Sequence, residues 1–267
     1  MPKPKLAFVL QGGGSLAAGQ VGMLRALFEA GIRPDLVVGS SAGALNAVAF
    51  AQNPTTAGLD ELQELWSRLR RSDIFPIRPR HLVHGLTGRR TGLVSPDRLR
   101  ALLASRIGIG HLEDAEIPVH VVTTDAATGR PAVLSSGPAL PALLASAALP
   151  GIFPPVELGG RLLIDGGVAA DIPILQAEES GATTSYVLPM ASTPPAHGAV
   201  DNALLATRQL LSRITADDVA MARGRVHLLP PPASASVSPM DFRQSRQLIR
   251  DGYDTTRSWL SAHVAAA

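Results

Sequence analysis

The sequence predicts an α/β fold, a three-layer α/β/α sandwich with a mostly parallel central sheet, on three observations. Leu6-Ala7-Phe8-Val9-Leu10 is a short continuous apolar run that ends at glycines, the pattern of a strand buried on both faces. Strand-like runs then alternate with segments of helical period along the chain, which is how βα units are written in sequence. Finally, the 267 residues are 46% hydrophobic and 17% charged, enough apolar side chain for a full core and too little charge for a disordered chain. One domain over 1–267 is expected, with its informative motifs between 6 and 188 and a C-terminal strand and helix, 226–263, packed on it.

The elements follow in order. Val21, Leu24, Leu27 and Phe28 recur at helical spacing and Gly31 suits a C-terminal cap, so a helix is expected over Ala17–Ala30. Leu36-Val37-Val38 is a second strand, Gly39–Gly43 a tight turn, and Ala44–Gln52 a helix rich in small residues. Leu59–Leu69 is helical, Phe75–Thr91 has no regular period, and Pro96–Ile107 is helical again. Pro118–Thr124 has the β-branched majority of a buried strand, and Pro141–Leu149 is a small-residue helix stopped by Pro150-Gly151. Leu162-Leu163-Ile164 is a short strand ending at Asp165-Gly166-Gly167, and Ser185–Leu188 and Val226–Leu229 are two more. A Pro-rich connector precedes a final helix over Asp241–His263.

Composition removes several chemistries. There is no cysteine, hence no disulfide framework, thiolate nucleophile or Cys-ligated metal. Twenty-four basic residues face 22 acidic ones, and a net charge of +2 makes no case for nucleic acid as a partner. The charge is nevertheless polarised: seven arginines lie between Ile74 and His111 against Asp97 alone, while Leu112–Ser180 carries nine acids against Arg130 and Arg161. The apolar N-terminal run is shorter than a secretory core, and Ala139–Leu149 falls short of the ~20 residues that cross a bilayer, so a cytoplasmic location is expected.

Val38-Gly39-Ser40-Ser41-Ala42-Gly43 fits G-x-S-x-G between a predicted strand and a predicted helix, which makes Ser41 a candidate nucleophile. A sharp strand-to-helix turn lifts a serine Oγ clear of the backbone, and glycines two residues to either side, Gly39 and Gly43, avoid collision there. A serine hydroxyl also needs a base and N–H donors for the oxyanion it generates. Gln11-Gly12-Gly13-Gly14-Ser15 precedes the first helix, where unhindered amides and the positive end of the helix dipole converge. The same glycines also fit a dinucleotide fingerprint, but the acid that should end the second strand is replaced by Gly39-Ser40-Ser41. Asp165 ends a strand before Gly166 and Gly167 and is the candidate base, with an Asp-Gly turn as its ordinary alternative. None of the seven histidines has the order and context of an α/β-hydrolase triad, although that reading stays open.

Taken together, the ordered set resembles the patatin-like phospholipases. Ser146-Ala147-Ala148-Leu149-Pro150-Gly151-Ile152-Phe153-Pro154-Pro155, Thr124-Asp125-Ala126-Ala127-Thr128-Gly129, and Asp165-Gly166-Gly167-Val168 running on to Ile172-Pro173 are similar to that family as well. The resemblance implies a Ser-Asp dyad with Ser41 as nucleophile and Asp165 as base, an oxyanion loop of Gly12, Gly13 and Gly14, and neither metal nor other cofactor. Leu16 and Ala17 stand where the family usually has a basic residue and a glycine, and Asp171 where it often has Asn.

The resemblance implies a lipid carboxyl ester as substrate, cleaved through an acyl-enzyme, with a non-catalytic lipid-binding protein on the same fold as the alternative. Arginines and apolar residues interleave over 75–91, and this segment is expected to cap the Ser41 cleft and to dock on anionic membranes. Packing on its own domain or a subunit contact is the competing role for it. The sequence leaves head group, acyl length and oligomeric state open.

Overall fold

The computed structural model describes residues 5–75, 94–190, 218–233 and 237–263. The segment expected to be a lid, 75–91, lies outside the described residues except for Phe75.

Among the described residues eight strands form one sheet: β1 (Leu6–Leu10), β2 (Leu36–Ser40), β3 (Val119–Asp125), β4 (Pro131–Leu134), β5 (Val156–Leu158), β6 (Arg161–Asp165), β7 (Thr184–Leu188) and β8 (Arg225–Leu228), in the order β5-β6-β3-β2-β1-β7-β8 with β4 paired to β3. The run β3-β2-β1-β7-β8 is parallel, whereas β4, β5 and β6 join antiparallel. Parallel pairing requires crossovers, and α1 (Ala18–Glu29), α2 (Ala42–Gln52), α3 (Thr56–Arg68) and α4 (Asp97–Ala104) lie in such connections, while α5 (Ala139–Ser146) joins β4 to β5, α6 (Ile174–Glu179) joins β6 to β7 and α7 (Ser245–His263) follows β8.

Burial on both faces explains the unbroken apolar strand runs. Phe8 and Leu10 of β1 pack with α1, α2 and α7, while Ala7 and Val9 face the opposite cluster with Ile174 and Ala177 of α6. Among the described residues the first cluster is the larger.

Several boundaries differ from those expected. β2 continues through Gly39 and Ser40, because both still pair with Val121 and Val122 of β3, and α2 begins at Ala42. The turn shrinks to the single residue Ser41. α3 starts before Leu59 because Thr55 caps it, its Oγ1 accepting the Gly58 N–H at 3.1 Å. α5 ends at Ser146, three residues short of Leu149, and β4, β5 and α6 were not anticipated.

α7 packs on α1 with the backbones in contact. A methyl group on Gly22 would stand 1.9 Å from the Ile249 carbonyl oxygen, and one on Gly252 would stand 2.2 Å from that of Gly19. This approach ties the C-terminal helix to the helix that follows the glycine loop. Gly252→Ala is expected to lose about 1–3 kcal/mol of stability despite the ~1 kcal/mol that Ala gains over Gly in a helix. A urea midpoint lowered at constant m-value would register the loss, and wild-type stability would contradict the contact.

Candidate active site

Ser41 sits between β2 and α2 with φ 51° and ψ −126°, and among the described residues it is the one non-glycine with positive φ. Such a conformation costs on the order of 1–3 kcal/mol and persists where its surroundings hold it. Here the Ser41 N–H donates to Ser146 Oγ at 2.8 Å, and Ser146 Oγ donates to the Val122 carbonyl at 2.6 Å. A methyl group on Gly39 would come within 2.6 Å of Gly43 O, and one on Gly43 within 2.4 Å of Leu10 O, so the turn closes only with glycine at both places.

The sheet delivers Asp165 to the same point. β4 pairs with Val121–Thr124 of β3, β2 with Val119–Val122 and β6 with Thr123–Asp125, so β4 takes one edge of β3 and β2 and β6 share the other. β6 therefore begins its pairing where β2 stops, with Asp165 opposite Thr123, next to the partner of Ser40. Ser41 Oγ donates to Asp165 Oδ2 at 2.6 Å, and the Gly167 N–H donates to Oδ1 at 2.8 Å. Gly166 lies against Val122, whose carbonyl oxygen would be 2.1 Å from an added methyl group. Thr124 Oγ1 donates to the Asp165 carbonyl at 2.8 Å and fixes its backbone.

Asp165 is 2% exposed. Burial raises its pKa from the ordinary 3.8 to about 7, against the lowering effect of the hydrogen bonds from Ser41 and Gly167; the charge of Asp171 adds to the rise.

The glycine loop lies beside this pair, with Gly12 Cα packed toward Ser41 and a single 3-10 turn, Gly14–Ala17, leading into α1. Of the three amides expected to serve an oxyanion, that of Gly12 already donates to the Asp171 carbonyl at 3.1 Å. The N–H groups of Gly13 and Gly14 take no backbone acceptor among the described residues. Gly14 has φ 62°, and a side chain there would meet the Pro239 carbonyl at 2.4 Å. Leu16 and Ala17, at the positions of the usual basic residue and glycine, are fully buried in the core. Asp171 accepts the Gln11 Nε2–H at 2.6 Å.

A cavity of about 150 Å³ opens from Ser41 and Asp165, and its walls are mainly apolar. Leu45, Leu99 and Met240 line it with two stacked ring pairs, Trp66 on Phe242 at 6.2 Å and Phe75 on Phe153 at 5.6 Å. None of the described histidines lines the cavity. His120 faces Ser180, and His227 and His263 stack in an aromatic cluster with Tyr186 and Trp259, while His81, His84 and His197 lie outside the described residues. Ser146, Thr124 and Gln11 are supporting residues whose individual roles sequence reasoning missed; their place within the motif stretches was the signal available.

The raised pKa has a consequence for stability. A carboxyl whose folded pKa exceeds its unfolded value adds stability fully below the unfolded pKa, here 3.8, and that contribution is lost as pH rises through about 7. Asp165→Asn is therefore expected to be more stable than wild type at pH 8, by up to about 4 kcal/mol, with the gap closing toward pH 4. Denaturant unfolding of both proteins across that range measures it, and a gap independent of pH would contradict the buried, raised carboxyl.

Against known protein families, residues 8–178 match the patatin-like phospholipases. The chain is 29% identical over 189 residues to patatin-like phospholipase domain-containing protein 6 of Mus musculus, which covers 70% of this chain and 14% of that protein. It is 29% identical over 171 residues to an uncharacterized NTE family protein of Mycobacterium bovis, covering 64% of this chain and 45% of the relative. The chain thus spans well under two thirds of these relatives' length. Among solved structures, VipD from Legionella pneumophila aligns with a TM-score of 0.52 at 16% identity, over 98% of this chain and 67% of that one. Human GIVD cytosolic phospholipase A2, in complex with methyl gamma-linolenyl fluorophosphonate, aligns at 0.54 and 12% identity, over 98% and 58%. Among the described residues no helix is long and apolar enough to cross a membrane. The matched region contains the glycine loop, Ser41 and Asp165 and more than half of the chain, and on that match the chain belongs to the patatin-like phospholipase family.

Proposed function

We propose that this chain is a serine acyl hydrolase for lipid carboxyl esters, with Ser41 as nucleophile and Asp165 as its base. The observation that carries the reading is the 2.6 Å hydrogen bond from Ser41 Oγ to the buried Asp165 carboxylate, made at the end of an apolar cavity. Ionised Asp165 takes the Ser41 proton as Oγ attacks the ester carbonyl carbon, and the carbonyl oxygen gains the negative charge. The amides of Gly13 and Gly14 receive that oxyanion, Gly12 being engaged with Asp171. Collapse of the tetrahedral species breaks the bond to the alkoxy group, which leaves with the proton held by Asp165. Water, deprotonated by the same carboxylate, then attacks acyl-Ser41; collapse breaks the acyl–Oγ bond, releases the carboxylic acid, and returns the proton held by Asp165 to Oγ.

The cavity suits an acyl chain, since its rings and aliphatic walls offer dispersion and burial with few polar partners. The altered Leu16-Ala17 pair favours turnover as much as binding alone: both side chains point into the core and leave the Gly13 and Gly14 amides in place. A base near pH 7 is matched to work at neutral pH.

A fluorophosphonate probe is expected to label wild type at Ser41 and to leave Ser41→Ala unlabelled. On nitrophenyl esters of increasing chain length, Ser41→Ala and Asp165→Asn should each lose about 10³-fold or more of kcat/KM, and no single His→Ala change should do so. Because Asp165 must be ionised to accept the proton, kcat/KM should rise with pH through an apparent pKa near 7. Equal rates for wild type and Ser41→Ala would favour lipid binding without catalysis, and a histidine as indispensable as Asp165 would replace the dyad by a triad.

A further inference from the structure

Three polar side chains lie in the apolar core beneath the glycine loop, where none performs a step of the reaction above. Gln20 on α1 and Asn46 on α2 are both fully buried, and Trp66 on α3 nearly so. Gln20 Nε2 donates to the Gln11 carbonyl at 2.8 Å and to the Leu188 carbonyl at 3.0 Å. Gln20 Oε1 accepts from Asn46 Nδ2 at 3.0 Å, and Nδ2 also donates to the Ala17 carbonyl at 2.8 Å. Asn46 Oδ1 accepts from the indole Nε1–H of Trp66 at 2.8 Å. Every N–H of the two amides is thereby used inside a core where an unpaired one would be costly.

The pattern of acceptors is what points to function. Gln20 holds the carbonyl of residue 11, where the loop leaves β1, and Asn46 holds that of residue 17, where the loop becomes α1. At the first of these places the peptide between Gln11 and Gly12 is held from both ends, its C=O by Gln20 and its N–H by the Asp171 carbonyl. That fixes the plane from which the chain turns to present the Gly13 and Gly14 amides. At the other end of the network, Trp66 is a wall of the acyl cavity.

We propose that Gln20 and Asn46 are positioning residues for the acyl-transfer step, holding the glycine loop so that its amides meet the oxyanion, and that the Trp66 N–H registers the loop against the acyl cavity. The proposal rests on the acyl-hydrolase reading. Since Gln20 and Asn46 do not line the cavity and touch no substrate atom, their loss acts on the transition state and not on substrate binding.

The test compares wild type with Gln20→Met, which keeps length and apolar volume and removes the donors. An aryl ester substrate gives kcat and KM, a fluorophosphonate counts active sites, and an alkyl trifluoromethyl ketone, whose serine adduct carries an oxyanion, reports on the loop. The expected result is kcat per active site lower by about 10- to 100-fold, KM changed by less than about twofold, and ketone affinity weaker by the same factor as kcat/KM. Trp66→Phe keeps a ring in the cavity and removes one donor; it is expected to lose about 3- to 10-fold in kcat per active site and in ketone affinity with KM changed by less than about twofold, and serves if Gln20→Met does not fold. Unchanged kcat and ketone affinity per active site, in Gln20→Met or in Trp66→Phe where the former is unfolded, overturn the positioning role. A wild type that neither labels nor turns over ester overturns the acyl-hydrolase reading, and this proposal with it.

Discussion

A carboxylate enclosed by protein, with few donors to replace water, is the constraint around which this molecule is arranged. Asp165 is 2% exposed and receives hydrogen bonds from the Ser41 hydroxyl and the Gly167 amide. Those bonds lower its pKa less than burial raises it, so the group titrates near pH 7 instead of near 4. Placing it there requires β2 to end at Ser40, so that β6 takes over the same edge of β3, and requires Ser41 to turn into α2 through a left-handed conformation. The strain at Ser41 and the desolvation of Asp165 are both unfavourable to folding. They persist because the two-sided burial of the parallel strands holds the strand ends in place.

The apolar cavity depends on the same core and on the far end of the chain. Leu45, Trp66 and Leu99 come from helices after the Ser41 turn, but Pro239, Met240 and Phe242 precede α7. The Pro239 carbonyl also accepts the Ser15 N–H at 2.9 Å, and the Ser238 carbonyl accepts its hydroxyl at 3.0 Å. The C-terminal segment, beyond the region that matches the family, is thus both a wall of the cavity and an anchor of the glycine loop. The close packing of α7 on α1 gives that anchor a rigid base.

How much of this the sequence revealed follows from how local each signal is. Ser41 was legible because a strand run, two glycines and a helix start lie within a few residues of it. Asp165 was legible only from its order behind the other motifs, since Asp-Gly alone is a common turn. The strands β1, β2, β3 and β7 were visible as apolar runs, whereas β4 opens on Pro131, β5 has three residues, and neither offers enough length for a period. The loss of the Gly12 amide to Asp171 was invisible, because the partner lies far along the chain and acts through its backbone. Gln20 and Asn46 did carry a signal, each a lone amide in an apolar helix, but what they hold is decided only when α1, α2 and α3 meet.

Asp165 is a buried carboxyl of raised pKa, and the hydrogen bond from Ser41 favours its charged form. Carbon-13 NMR titration of the Asp165 carboxyl, assigned by its absence in Asp165→Asn, tests this directly in wild type and in Ser41→Ala. The expected midpoint is near 7 in wild type and higher in Ser41→Ala, because a hydrogen bond to the carboxylate is gone. A midpoint near 4, the ordinary range for an aspartate in water, or one that does not respond to loss of the Ser41 hydroxyl, would contradict it.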